Sequence, residues 1–313
     1  MKQLLSFLTA FCLCFFPTGN HIPDWPFPKL SSTHLLHQST QSTLTATFLD
    51  VGQGDCALIE LPDGQTMLID AGNKKDGPEI ISQIKNKGYD HLDYVVATHP
   101  HADHIGSMTQ VLQEFPVEAM YLPNQSHTSQ TFEQMLDTIE ENGVPLYPAQ
   151  AGTLIANQEG YTISLLAPLP GHYSELNNYS AVVKITYGNH SYLFMGDAEE
   201  PVEKELLSEN IEADVLKVGH HGSSYASSLS FLQAVSPLYG VISCGSGNSY
   251  GHPHQETLNR LNQLGIEILR TDLDGTIVIS TNGTTLQVSK QASPAKEKAP
   301  PFFYFTNREE NVA

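Results

Sequence analysis

The residues best suited to chemistry stand together in Thr98-His99-Pro100-His101-Ala102-Asp103-His104-Ile105-Gly106. Three imidazoles and one carboxylate fall within the six residues from His99 to His104. Imidazole and carboxylate together suit zinc, manganese or iron. The set is too large for one ion that must keep an open position, so it points to two. In an extended segment His99 and His101 point the same way. Asp103 and His104 follow on the turn and face a second point nearby.

Further candidates lie downstream. Asp197 follows the apolar run Tyr192 to Met195 and Gly196, so its carboxylate is aimed rather than merely solvated. The competing reading makes it the N-cap of the next helix, and one residue can do both. His220 and His221 are adjacent and, if extended, face opposite ways. We read His220 as the ligand, and His221 as an orienting or acid group or as a packed side chain. His252 precedes Pro253 and can reach a leaving group or a phosphate oxygen, or serve as a plain loop residue. Asp70 ends a strand beside Gly72 and is expected to orient a ligand histidine. Lys217 is given no role. His91, His127, His172, His190 and His254 are read as surface residues.

These side chains need elements to position them. The apolar run Tyr94 to Ala97 is a strand whose carboxyl end delivers the histidines, where open α/β sheets bind ligands. Before it, Thr45 to Val51, Cys56 to Glu60 and Met67 to Asp70 read as a meander of short strands with turns at Gly52-Gln53-Gly54 and Pro62-Asp63-Gly64. Helical spacing marks Ile80 to Lys85, Ile105 to Phe115 and Phe132 to Ile139. The second half repeats the plan. Strands at Tyr161 to Leu166, Ser180 to Tyr187 and Ser191 to Met195 precede a helix from Val202 to Leu207. The strand Asp214 to Val218 then ends at His220-His221. Helices at Leu229 to Val235 and Gln255 to Leu264 alternate with further strands to about Val288. Strands followed by alternating helices predict an α/β fold, a four-layer αββα sandwich over residues 44–290.

The chain of 313 residues is 40% hydrophobic, enough for one sizeable core. Its net charge is -19, with 15 Lys+Arg, which argues against tight, non-specific nucleic-acid binding by the protein alone. Bound cations offset local negative charge. Residues 1–20 read as a signal peptide or N-terminal anchor, with Lys2 before the apolar run Leu4 to Phe16. Such a segment exports the chain and can hold it at a membrane. Residues 21–43 read as a linker, with His21, His34 and His37 as stray linker histidines, and residues 291–313 as a C-terminal tail. Cys56 and Cys244 read as buried thiols. No protein partner is identifiable.

The His99 to His104 pattern resembles the metal signature of the metallo-β-lactamase fold superfamily. The chain is more similar still to the extracellular hydrolase-like domain of ComEC-type competence proteins. The resemblance rests on Phe48 to Asp55, Leu68 to Gly72, Thr98 to Gly106, Asn177 to Ser180, Phe194 to Glu199, Leu216 to Ser223 and Tyr250 to Pro253. It implies two divalent ions, zinc or manganese. His99 and His101 would hold the first, and Asp103, His104 and His220 the second, with Asp197 bridging. From the residues themselves, Asp103, His221 and His252 are the candidate catalytic groups. The superfamily often adds a further histidine at the first ion, and the matching stretch Asn177-Asn178-Tyr179-Ser180 has none. The implied activity is hydrolysis by a hydroxide held between the ions, with DNA or a small phosphodiester as substrate, outside the cell or at its surface. The alternatives are a small ester, lactone or amide at the same site, or a non-catalytic metal-stabilised binding module. Membrane helices of a competence channel are missing from the sequence, so DNA import by this chain alone is not expected.

Overall fold

The computed structural model describes residues 42–158 and 160–291. The signal or anchor segment, all but the end of the linker, and the tail beyond Gln291 lie outside the described residues.

Two sheets face each other. The first has eight strands: β1 (Leu44–Phe48), β2 (Ala57–Glu60), β3 (Thr66–Ile69), β4 (Leu92–Val96), β5 (Val117–Leu122) and β6 (Leu146–Pro148), with β14 (Thr276–Thr281) and β15 (Leu286–Gln291) beyond β1. The second has seven: β7 (Leu154–Gln158), β8 (Tyr161–Ala167), β9 (Val182–Tyr187), β10 (His190–Phe194), β11 (Val215–Lys217), β12 (Tyr239–Ile242) and β13 (Glu267–Arg270), in that spatial order. Each sheet begins as an antiparallel meander and turns parallel, from β3 to β6 in one and from β10 to β13 in the other. This common plan is the repetition visible in the sequence.

Alternation of side chains explains the layers. Along β8, Tyr161, Ile163, Leu165 and Ala167 are buried while the residues between are half-buried. Tyr161, Ile163 and Leu165 join Phe48, Ile59, Met67, Ile185, Tyr192 and Phe194 in the core between the sheets, where the Phe48 and Phe194 rings stack at 5.6 Å, while Ala167, past a register shift, packs in the outer cluster. Helices cover the outer faces. On the first sheet lie α1 (Gly77–Asn86), α3 (Met108–Glu114) and α4 (Gln130–Asn142), burying Ile80, Ile84, Val111, Phe132, Met135 and Ile139. On the second lie α5 (Glu200–Leu206), α6 (Leu229–Val235) and α7 (Gln255–Gln263). The expected αββα sandwich is therefore the fold.

One element departs from the sequence reading in a way that matters. The helix expected from Ile105 to Phe115 is broken, with a short α2 (Ala102–Ile105) ahead of α3. The chain at Asn73-Lys74 passes directly against Gly106, and a Cβ there would meet Ala102 O at 2.4 Å and Lys74 N at 2.5 Å. The break lets α2 carry Asp103 and His104 inward while α3 packs on the sheet. A second departure is β6 and β7, both at sheet edges, which show no apolar alternation to announce them. The last short helix is α8 (Thr271–Asp274). Among the described residues, no helix is long and apolar enough to cross a membrane.

Candidate metal centre

Most of the candidate side chains follow the carboxyl end of a strand, and Asp103 and His104 follow on α2. Asp70 follows β3, His99 and His101 follow β4, Asp197 follows β10, and His220 and His221 follow β11. The loops are tied together by their backbones. Asp55 N donates to Asp103 O at 3.1 Å, Ala71 N to His104 O at 2.6 Å, and His220 N to Gly196 O at 3.0 Å. Gly54 allows the first of these contacts, because a Cβ there would meet Asp103 O at 2.5 Å.

Asp197 lies at the centre and is almost wholly buried. Its Oδ1 is 3.2 Å from His104 Nε2 and 3.5 Å from His221 Nε2. His221 Nε2 is in turn 3.3 Å from Asp103 Oδ2. Its Oδ2 faces the other way, 3.8 Å from His99 Nε2 and 3.6 Å from His220 Nε2. His99 Nε2 and His101 Nδ1 meet at 3.0 Å, so one proton or one cation belongs between them. The helix-capping alternative for Asp197 is not met, since Glu199 occupies the N-cap of α5.

The far sides of these imidazoles are held in place. His104 Nδ1 bonds to Asp70 Oδ2 at 2.7 Å, and Thr98 donates to both Asp70 oxygens, by its amide and by its hydroxyl. His221 Nδ1 donates to Ser243 O at 3.0 Å and lies 3.3 Å from Asp55 Oδ1. His99 Nδ1 lies 3.1 Å from the Thr98 hydroxyl. This arrangement fixes the ring so that Nε2 is presented inward, as metal-binding histidines are fixed. Three buried atoms that converge here, His104 Nε2, Asp197 Oδ1 and His221 Nε2, have no hydrogen-bond partner. Buried polar atoms are seldom left so, and a shared cation satisfies all three. Asp103, His104, Asp197 and His221 have ligand atoms within 4.8 Å of one another. The donor set fits a divalent ion.

This corrects one assignment. His221, and not His220, stands with Asp103 and His104. The sequence reading took the pair as extended, but both residues lie in a tight turn, Gly219 to Gly222, with left-handed backbone at φ 46 and φ 52. That conformation is uncommon for side chains other than glycine and re-aims both rings.

Three residues outside the predicted set also matter: Lys217, Asp55 and His127. Lys217, given no role in the sequence reading, is buried with its Nζ 2.6 Å from Asp55 Oδ2. Asp55 belongs to the Phe48 to Asp55 stretch, whose turn chemistry hid its place behind His221. Burial works to raise the Asp55 carboxyl, and the Lys217 ammonium with His221 outweighs it, holding the carboxyl below its ordinary value. His127, read as a surface residue, instead lines the cleft with His101, Asp103, Asn177, Tyr250 and His252. The cleft measures about 450 Å³, within the range of small-ligand sites. The Tyr250 ring stacks on His252 at 5.7 Å. Burial and the neighbouring His220 and His221 push His252 down to about 4, so at neutral pH it offers one N–H rather than a charge.

Residues 49–246, more than half the chain, match the model of the metallo-beta-lactamase superfamily. The chain belongs to this superfamily. It is 33% identical over 250 residues to ComE operon protein 3 of Bacillus subtilis, covering 73% of this chain and 32% of the relative. It is 27% identical over 283 residues to Competence protein ComA of Neisseria gonorrhoeae, covering 88% of this chain and 38% of the relative. The chain thus spans about a third of the length of these relatives. Among solved structures, CmlA, a diiron beta-hydroxylase from Streptomyces venezuelae, aligns with a TM-score of 0.50 at 12% identity, covering 81% of this chain and 55% of that one, which shows a shared fold alone. The resemblance read from the motifs is thus confirmed at the level of the superfamily and its competence relatives.

Loading the centre should release protons. Burial works to lower His221, but Asp197 and Asp55 outweigh it and push it up to about 10; His104 is likewise raised well above its ordinary value. Without metal, then, imidazolium balances the carboxylates at pH 7, and each ligating imidazole must be neutral. Calorimetric titration with zinc near pH 7 is expected to release about one proton or more per chain, with affinity rising as pH rises. Heats that do not change with the buffer's ionisation enthalpy would contradict this.

Proposed function

We propose that this superfamily member is an exported dinuclear metal-dependent hydrolase that cuts phosphodiester bonds. The observation that carries the reading is the two-sided environment of Asp197, one oxygen toward Asp103, His104 and His221 and the other toward His99. His104, Asp103 and His221 would hold one ion and His99 and His101 the other, with Asp197 shared. Two such ions, zinc or manganese, supply an activated water and offset charge on both the attacking and the leaving oxygen.

The chain's own residues do the remaining work. Asp70, Thr98, Ser243 and Asp55 hold the imidazoles in the orientation and tautomer that present their inner nitrogens. His252, neutral at working pH, donates an N–H into the cleft toward a substrate oxygen. Relatives named for competence support nucleic acid or a nucleotide as the substrate class, and an envelope location. The acidic chain is compatible with this only when cations occupy the centre.

The test is a substrate panel on chelator-stripped and reloaded protein: a generic phosphodiester, single-stranded DNA, a carboxylic ester, a lactone and an amide. Turnover of diesters restored by manganese or zinc, and absent without them, is the expected result. Metal-dependent turnover of only the ester, lactone or amide would overturn the substrate class. No turnover by fully loaded protein would favour a binding module.

A further inference from the structure

In the dinuclear reading one ion has His99, His101 and Asp197, one side chain fewer than the other ion's Asp103, His104, His221 and Asp197, and so lacks a fourth ligand. We infer that His220 supplies it, so that the adjacent histidines His220 and His221 are divided between the two ions, one each. The inference rests on the dinuclear reading above and deepens it.

Three observations carry it. His220 Nε2 points at Asp197 Oδ2, at 3.6 Å, on the same side as His99 Nε2 at 3.8 Å, whereas His221 Nε2 points at Oδ1 at 3.5 Å. The far side of His220 is secured as the other ligand rings are, its Nδ1 lying 2.9 Å from Glu199 Oε1. A carboxylate behind an imidazole fixes its tautomer and raises its basicity toward a metal. Third, a polar side chain from another loop lies against the His220 ring. Asn177, from the histidine-free stretch, lies with its Nδ2 3.4 Å from the His220 ring nitrogens.

The local backbone explains how neighbours can serve different ions. In an extended strand they would point to opposite faces, and one would leave the site. Consecutive left-handed residues at φ 46 and φ 52 turn the chain sharply instead, leaving the ring centroids 6.0 Å apart on either side of Asp197. Gly219 and Gly222 flank the turn, and Gly222 sits where a Cβ would meet Pro253 Cβ at 2.6 Å, so the turn is wedged in place. His220 remains 21% exposed, which gives its ring room to close on an ion.

The experiment counts ions and measures their affinities on the full chain, stripped and titrated with zinc, with metal analysis at saturation. The variants are His220→Asn, His221→Asn, His99→Asn and the pairs of His220→Asn with each of the others. Asparagine tolerates the left-handed backbone at both turn positions. The parent chain is expected to hold two ions. His220→Asn should keep one tight ion and bind the other at least about 100-fold more weakly, beyond the range of an outer-sphere change. The pair with His99→Asn should still keep one tight ion, because both changes strike the same site. The pair with His221→Asn should keep none. Glu199→Gln should weaken the same ion as His220→Asn, by about 10–100-fold, and serves if His220→Asn does not fold. Parental affinities for both ions in His220→Asn and Glu199→Gln would overturn the assignment and leave the dinuclear reading standing. So would loss of both ions in the pair with His99→Asn. A parent chain that holds fewer than two ions overturns both.

Discussion

Asp103→Ala is expected to lose at least about 10²–10³-fold in metal-dependent hydrolysis while melting close to the parent chain. The carboxylate belongs to the four-residue group with His104, Asp197 and His221, and its Oδ2 lies 3.3 Å from His221 Nε2. Removing it leaves three groups to hold the charge that attack on a substrate develops. The scale follows from the loss of one preorganised charge partner at a reacting centre. The fold has little stake in this side chain. It is 29% exposed, sits in the first turn of a four-residue helix, and belongs to none of the three apolar clusters. Its backbone carbonyl, which accepts from Asp55 N, is untouched by the substitution. The comparison takes thermal melts, circular dichroism and diesterase rates of both proteins with metal added. A variant that folds and still turns over at the parental rate would place the chemistry elsewhere.

Lys217→Met is expected to act in the opposite way, destabilising the fold by about 3–5 kcal/mol, the usual cost of leaving one partner of a buried ion pair alone. Lys217 and Asp55 are both buried, and the ammonium is the principal cation holding the Asp55 carboxyl below its ordinary value. The sign of the pH dependence follows. A carboxyl depressed in the folded chain contributes stability above its unfolded pKa, about 3.9, which is lost as pH falls through the folded value. In Lys217→Met burial is unopposed by the ammonium, so the carboxyl protonates at higher pH. The deficit relative to the parent should therefore be full near pH 7 and narrow as pH falls toward 4. Asp55→Asn combined with Lys217→Met should recover part of the loss, since neither charge is then stranded. Denaturant unfolding of the parent, Lys217→Met and the double variant across pH measures this. A deficit under about 1 kcal/mol at pH 7 would mean that the pair is solvated and worth what surface pairs are worth.

The sandwich was legible because its core strands alternate or run apolar, as in Tyr161 to Ala167 and Tyr94 to Ala97. The strand edges β6 and β7 were not, since pairing at the rim, rather than apolar pattern, makes them strands. The first metal motif was legible because its residues are contiguous. The turn at His220 and His221 was not, because both histidines have left-handed backbone in a tight turn from Gly219 to Gly222. Residue type alone predicts the opposite. Lys217 was left without a role for a related reason. On β11 it points between the sheets, where a lysine is expected only if an acid waits for it, and Asp55 is distant in sequence. Glu199 closes the Phe194 to Glu199 stretch, but its role is visible only through its contact with His220.

The central claim, two ions held on the two oxygens of Asp197, is tested most directly by a crystal structure of protein prepared without chelators and saturated with zinc or manganese. Anomalous density and metal analysis should be read together. The account predicts two ions per chain, one beside Asp197 Oδ1 with Asp103, His104 and His221, the other beside Oδ2 with His99 and His101. One ion per chain under saturating zinc and manganese, with no second peak in the density, would contradict it.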